Sequence, residues 1–120
     1  MILFQTRTLD RGEILQLILA IQGFVERAWG DPIKVSHGGV SNVSNEKQFR
    51  WWEIAPRDVL RTLEEQERVE QFRIGDYDFF ISNLDESERI HICHESDVHF
   101  EVGDTLSDLI RGILAQNKLD

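Results

Sequence analysis

The sequence predicts an α+β fold, an antiparallel sheet with about three α-helices packed on one face. Three observations carry this. Residues 69–102 alternate apolar and polar side chains with turn signals between the runs. Three other segments repeat apolar residues at helical spacing. At 120 residues and 14.0 kDa, the chain has the length of one domain, 1–120, with no linker-like tract inside it.

The apolar start Met1-Ile2-Leu3-Phe4 reads as an opening strand. Gln5, Arg7 and Asp10 follow at once, which is not the pattern of a signal peptide. Asp10-Arg11-Gly12-Glu13 is a capping box, because Asp10 can accept from free amides of a first turn while Glu13 reaches back to the cap. The helix it opens carries Ile14, Ile18, Ile21 and Val25 with Leu15, Leu17, Leu19 and Phe24, an apolar set broad enough for burial on more than one side. Gln16 and Gln22 interrupt it, and it falls short of the roughly 20 apolar residues of a membrane span.

Residues 30–47 turn to Gly, Ser and Asn and read as a long connection, with Ile33–Val35 as a short strand inside it. His37-Gly38-Gly39 lies there; it matches neither phosphate-binding fingerprint and reads as flexible loop. Gln48 to Ile54 is dense in aromatic residues and reads as a strand, and Pro56 opens a short helix with Val59, Leu60 and Leu63 inward. A last helix starts near Asp104 or Thr105, where Thr105 and Asp108 match a capping box, and carries Leu106, Leu109, Ile110, Ile113 and Leu114.

Between 69 and 102 the registers can be argued. Gly75-Asp76 suits a two-residue hairpin turn pairing Ile74 with Tyr77 and Phe72 with Phe79. A loop at Leu84 to Ser87 sets Ile81 opposite Ile90, Phe79 opposite Ile92 and Phe80 opposite His91. For the next hairpin, a three-residue loop of His94, Glu95 and Ser96 pairs Ile92 with Val98 and His91 with His99, which keeps the apolar residues on one face. The result is a four-stranded meander whose outer face shows Asp78, Phe80, Arg89, His91, Cys93, Asp97, His99 and Glu101.

Thirteen Lys and Arg against 22 Asp and Glu leave a net charge of −9. Residues 1–50 hold six basic and five acidic side chains while 51–120 hold seven and 17, so the acidity belongs to the second half. Phosphate backbones and anionic membranes would repel such a chain. The single cysteine, Cys93, has no internal disulfide partner, and a reducing cytoplasm is the expected compartment.

Two chemistries compete for the outer face. His91 and His99 opposite each other, with Asp97 and Cys93 nearby, are donor types for a transition metal; Cys93 beside His91 also suggests a thiol nucleophile and its base. Neither pattern matches an established spacing, so the expectation is no cofactor, with a metal or thiol enzyme as the alternative. The other reading is a surface for a basic protein. Asp78, Asp85, Glu86, Glu88, Glu95, Asp97 and Glu101 would steer association, and Phe80 and Trp52 would add buried contact. In size, charge and layout the whole chain resembles the small acidic immunity proteins that bacteria pair with cationic toxins. That resemblance rests on no motif and assigns no residue; it implies neutralisation of a basic toxin. The chain itself is expected to be a monomer, or a homodimer formed through another surface.

Overall fold

A computed structural model describes residues 1–39 and 50–120. The elements run β1 (Ile2–Gln5), α1 (Arg11–Trp29), β2 (Ile33–Gly39), β3 (Trp52–Ile54), a single 3-10 turn (Pro56–Asp58), α2 (Val59–Arg68), β4 (Tyr77–Ser82), β5 (Arg89–Ile92), β6 (Val98–Val102) and α3 (Asp104–Gln116). The fold is α+β. All six strands form one antiparallel sheet in the order β1-β6-β5-β4-β2-β3. No helix among the described residues is long and apolar enough to cross a membrane.

The Asp10 capping box forms as the sequence predicts: Glu13 N–H donates to Asp10 Oδ1 at 2.8 Å, and Asp10 N–H donates to Glu13 Oε1 at 3.1 Å. Behind it, Ile14, Leu17, Ile18, Ile21 and Val25 of α1 are buried. Leu19 is 57 % exposed, so the helix buries one broad stripe and not two sides. Facing that stripe, Phe79 and Ile81 of β4, Ile90 and Ile92 of β5, and Val98, Phe100 and Val102 of β6 fill the core. Val59 and Leu63 of α2 and Leu106, Ile110 and Leu114 of α3 close it.

The β4-β5-β6 meander has the registers argued from the alternation. Phe79 pairs with Ile92, Phe80 with His91, Ile81 with Ile90, Ile92 with Val98 and His91 with His99. The β5–β6 turn is closed by Ser96 N–H donating to Cys93 O at 3.0 Å, with Ser96 in the left-handed region at φ 65. This geometry belongs to three-residue hairpin loops and fixes the register.

Three expectations are corrected. Residues 71–74 form no strand, since Asp76 and Tyr77 both donate to Arg73 O and the chain turns there. The edge of β4 is taken instead by β2, through six register pairs from Lys34↔Ser82 to Gly39↔Tyr77. That long ladder seats Ile33 and Val35 in the core, while Phe72 is buried there without strand pairing. The long connection read at 30–47 is thus in part a central strand, with His37 inside the sheet; residues 40–47 of it lie outside the described residues, as do 48 and 49 of the strand read at 48–54. Finally, the Thr105 box does not form, because Gly103 occupies the cap position and no side chain caps there.

Candidate functional site

Helices cover one face of the sheet, and parity places the other set of side chains on the second face. Across the strands these side chains line up in rows about 6.7 Å apart, two residues of strand. One row runs Ser36, Phe80, His91, His99, Gln5. The next runs Glu53, Lys34, Ser82, Arg89, Glu101, Leu3. Beyond the first row, at the β5–β6 turn, come Asp78, Cys93 and Asp97.

Aromatic stacking organises the middle row. The His91 ring lies on Phe80 with centroids 4.3 Å apart and planes 19° from parallel, Trp51 lies 6.3 Å from Phe80 at a tilt of 50°, and the Arg89 guanidinium stands over the Phe80 ring at 5.8 Å. The His91 and His99 rings are 5.5 Å apart. Leu3, Gln5, Phe80, Arg89, His91, His99 and Glu101 line a shallow hollow of about 360 Å³.

Each imidazole of the middle row is tied to its own carboxylate. His91 Nε2 donates to Asp78 Oδ1 at 2.8 Å, and the same oxygen accepts from His94 N–H at 3.0 Å and His94 Nδ1 at 3.1 Å. Burial pushes the Asp78 carboxyl up, but the His91 and His94 hydrogen bonds outweigh it and hold it below the ordinary value. The Asp78 hydrogen bond in turn raises the His94 imidazole. His99 Nε2 donates to Asp97 Oδ2 at 3.0 Å, an oxygen that also accepts from Gln5 Nε2 at 3.4 Å. Asp97 is only 8 % exposed, and its Oδ1 accepts no hydrogen bond.

Cys93 is buried between these two pairs. One ligand atom each from Asp78, His91 and Cys93 lie within 4.8 Å of one another, as do those of Cys93, Asp97 and His99. The donors expected from sequence as one cluster, His91, His99 and Asp97, are therefore grouped as two triads that share the thiol. Burial, and then the neighbouring Asp97 and Asp78 carboxylates, push the Cys93 thiol up, away from the thiolate a nucleophile needs. His91, the suggested base, is bonded to Asp78, and the imidazole nitrogen bonded to the sulfur is His94 Nδ1 at 3.7 Å.

The acidic residues read as one binding surface are spread out. Asp85 and Glu86 are exposed in the β4–β5 loop, while Glu95 is exposed at the β5–β6 turn, separated by the four-residue β5, roughly 13 Å of strand. Glu101 stands opposite Arg89 between them. Glu88 is committed to the fold: Oε1 accepts from Gly103 N–H at 2.6 Å and Oε2 from Trp29 Nε1 at 2.8 Å.

Phe80 lies in the middle of the face, but Trp52 does not accompany it. Trp52 pairs with Val35 and sets its ring edge-on to His37 on the helix side. Trp51 is the tryptophan beside Phe80. Parity with Ile54 could have shown this, since an inward Ile54 carries Trp52 inward with it. Leu3 and Gln5 reach the face through β1–β6 pairing, for which the sequence offers no local signal. Compared with protein-family models, with curated proteins and with solved structures, the chain matches none, so its function is argued from these residues.

Proposed function

We propose that this chain is a protein-binding module that takes a basic partner on the face of its sheet opposite the helices of the described residues. The observation that carries the reading is the face itself: an aromatic row of Trp51, Phe80 and His91 beside a hollow, with exposed acidic side chains around it. A partner Arg or Lys side chain reaching the hollow would meet Glu101 at its rim, and the aromatic row would add apolar contact beside it. Asp85 and Glu86 at one end and Glu95 at the other would attract the partner before contact. The finer form of the reading is an immunity-type inhibitor that neutralises a basic toxin; the net charge of −9 supports it.

The test begins with capture of a basic protein from the source lysate and continues with the two purified proteins. Association and dissociation rates are measured across ionic strength for wild type, Glu95→Lys/Glu101→Lys, Phe80→Ala, and Glu64→Lys on exposed α2 as control. Charge reversal should slow association several-fold and flatten its salt dependence, and Phe80→Ala should speed dissociation. Equal effects from Glu64→Lys, or rates unchanged in both face variants, would sink the reading.

A further inference from the structure

We propose that Cys93, Asp97 and His99 bind a divalent ion of the zinc class at the β5–β6 turn. Three observations converge on it. The ligand atoms of these residues already lie within 4.8 Å of one another. The set of thiol, imidazole and carboxylate is one that zinc accepts and that magnesium and calcium do not favour. The third observation is Asp97, a buried residue whose side chain is 12 % exposed and whose Oδ1 accepts no hydrogen bond. A buried carboxylate oxygen without a partner is costly, and a cation bound by the same carboxylate offsets that cost. Among the described residues, no Lys or Arg forms an ion pair with Asp97 or Asp78; their ion-pair partners are His91, His94 and His99.

The change needed to admit the ion is small. His99 Nε2 and Asp97 Oδ2 are 3.0 Å apart across a shared proton. Two ligands of a tetrahedral zinc at about 2.0 Å from the metal are about 3.3 Å apart, so replacing that proton by the metal opens the pair by a few tenths of an ångström. The ring proton of His99 then sits on Nδ1, and the thiol proton of Cys93 leaves to solvent as the sulfur becomes a thiolate ligand. Asp78 Oδ1, which already accepts three hydrogen bonds, is the less available carboxylate. The Asp78–His91 pair instead flanks the site beyond the sulfur.

The full-length protein, purified without chelator, is weighed by native mass spectrometry and then titrated with Zn2+, with Co2+ as a spectroscopic probe and with Mg2+ as a control. One Zn2+ per chain at micromolar affinity or tighter is expected, with a thiolate-to-cobalt charge-transfer band and no uptake of Mg2+. Cys93→Ser and His99→Asn should each weaken Zn2+ binding at least about tenfold, and Cys93→Ser should abolish the cobalt band. His99 is part-exposed at the surface, so His99→Asn tests the ligand without emptying the core; circular dichroism of both variants confirms folding. Affinity weaker than about 0.1 mM, or binding untouched by both substitutions, would overturn the site.

Discussion

Removing the Glu88 carboxylate tests whether it is a contact for a partner or a fastener of the fold. Its two oxygens accept from Gly103 N–H at the start of α3 and from the Trp29 indole at the end of α1, so one side chain in the β4–β5 loop joins both helix termini. A hydrogen bond to a charged acceptor contributes about 1.5–3 kcal/mol, and the indole N–H left without a partner adds its own cost. Glu88→Ala should therefore lower stability by about 2–4 kcal/mol, and Glu88→Gln, which keeps one acceptor, by about half that. Urea unfolding followed by tryptophan fluorescence and far-UV circular dichroism measures both. At the exposed neighbours Asp85 and Glu86, alanine should cost less than about 0.5 kcal/mol. A Glu88→Ala protein as stable as wild type would refute the fastening role.

Three further predictions concern the rest of the fold. Asp10→Ala removes the N-cap of α1 and should cost about 1 kcal/mol in urea unfolding, with Asp10→Asn nearly neutral. Gly75 sits at φ 92 and an added Cβ would meet Ser96 Oγ at 2.9 Å, so Gly75→Ala should destabilise by about 1–2 kcal/mol; no change would remove the case for a required glycine. Burial lowers the His37 imidazole below its ordinary value, so between the unfolded pKa of about 6.5 and the lower folded one the unfolded chain takes up a proton that the folded chain refuses. Stability should then fall with falling pH in that window, by at most about 1.4 kcal/mol per pH unit, and less steeply in His37→Phe. Parallel pH profiles of the two proteins would refute it.

Local signals were legible, and pairings distant in sequence were not. Asp10 and Glu13 cap α1 because both partners lie within one turn and nothing else competes for them. The β4-β5-β6 registers followed from short loops and a single buried face, where a slip by one residue would turn Phe79, Ile90 and Val98 to solvent. The Gly75-Asp76 signal misled for the opposite reason: a turn does form there, but β2 outcompeted residues 71–74 for the edge of β4. His37-Gly38-Gly39 hid that strand behind loop-like composition, although its alternation of Ile33, Val35 and His37 was present. Within the site, His91 opposite His99 could be read from register alone. The division of carboxylates between them depends on side-chain reach across the β5–β6 turn, which no spacing encodes.

The two proposals lie on one face and share His99, and charge decides whether they compete. Binding one divalent ion adds two positive charges, and the thiol proton that leaves takes one away, so the loaded protein gains a single unit against a net of −9. Asp85, Glu86 and Glu101 keep their charge, and the end of the sheet that carries Glu95 stays acidic. Long-range attraction for a basic partner should therefore survive metal loading nearly intact. What the ion would change is local: with Asp97 and Cys93 pinned at the turn, His99 is fixed beside the hollow, and the cost of ordering that end of the face falls before any partner arrives. Rates measured with and without bound Zn2+ separate these effects, because steering acts on association and pre-organisation on dissociation.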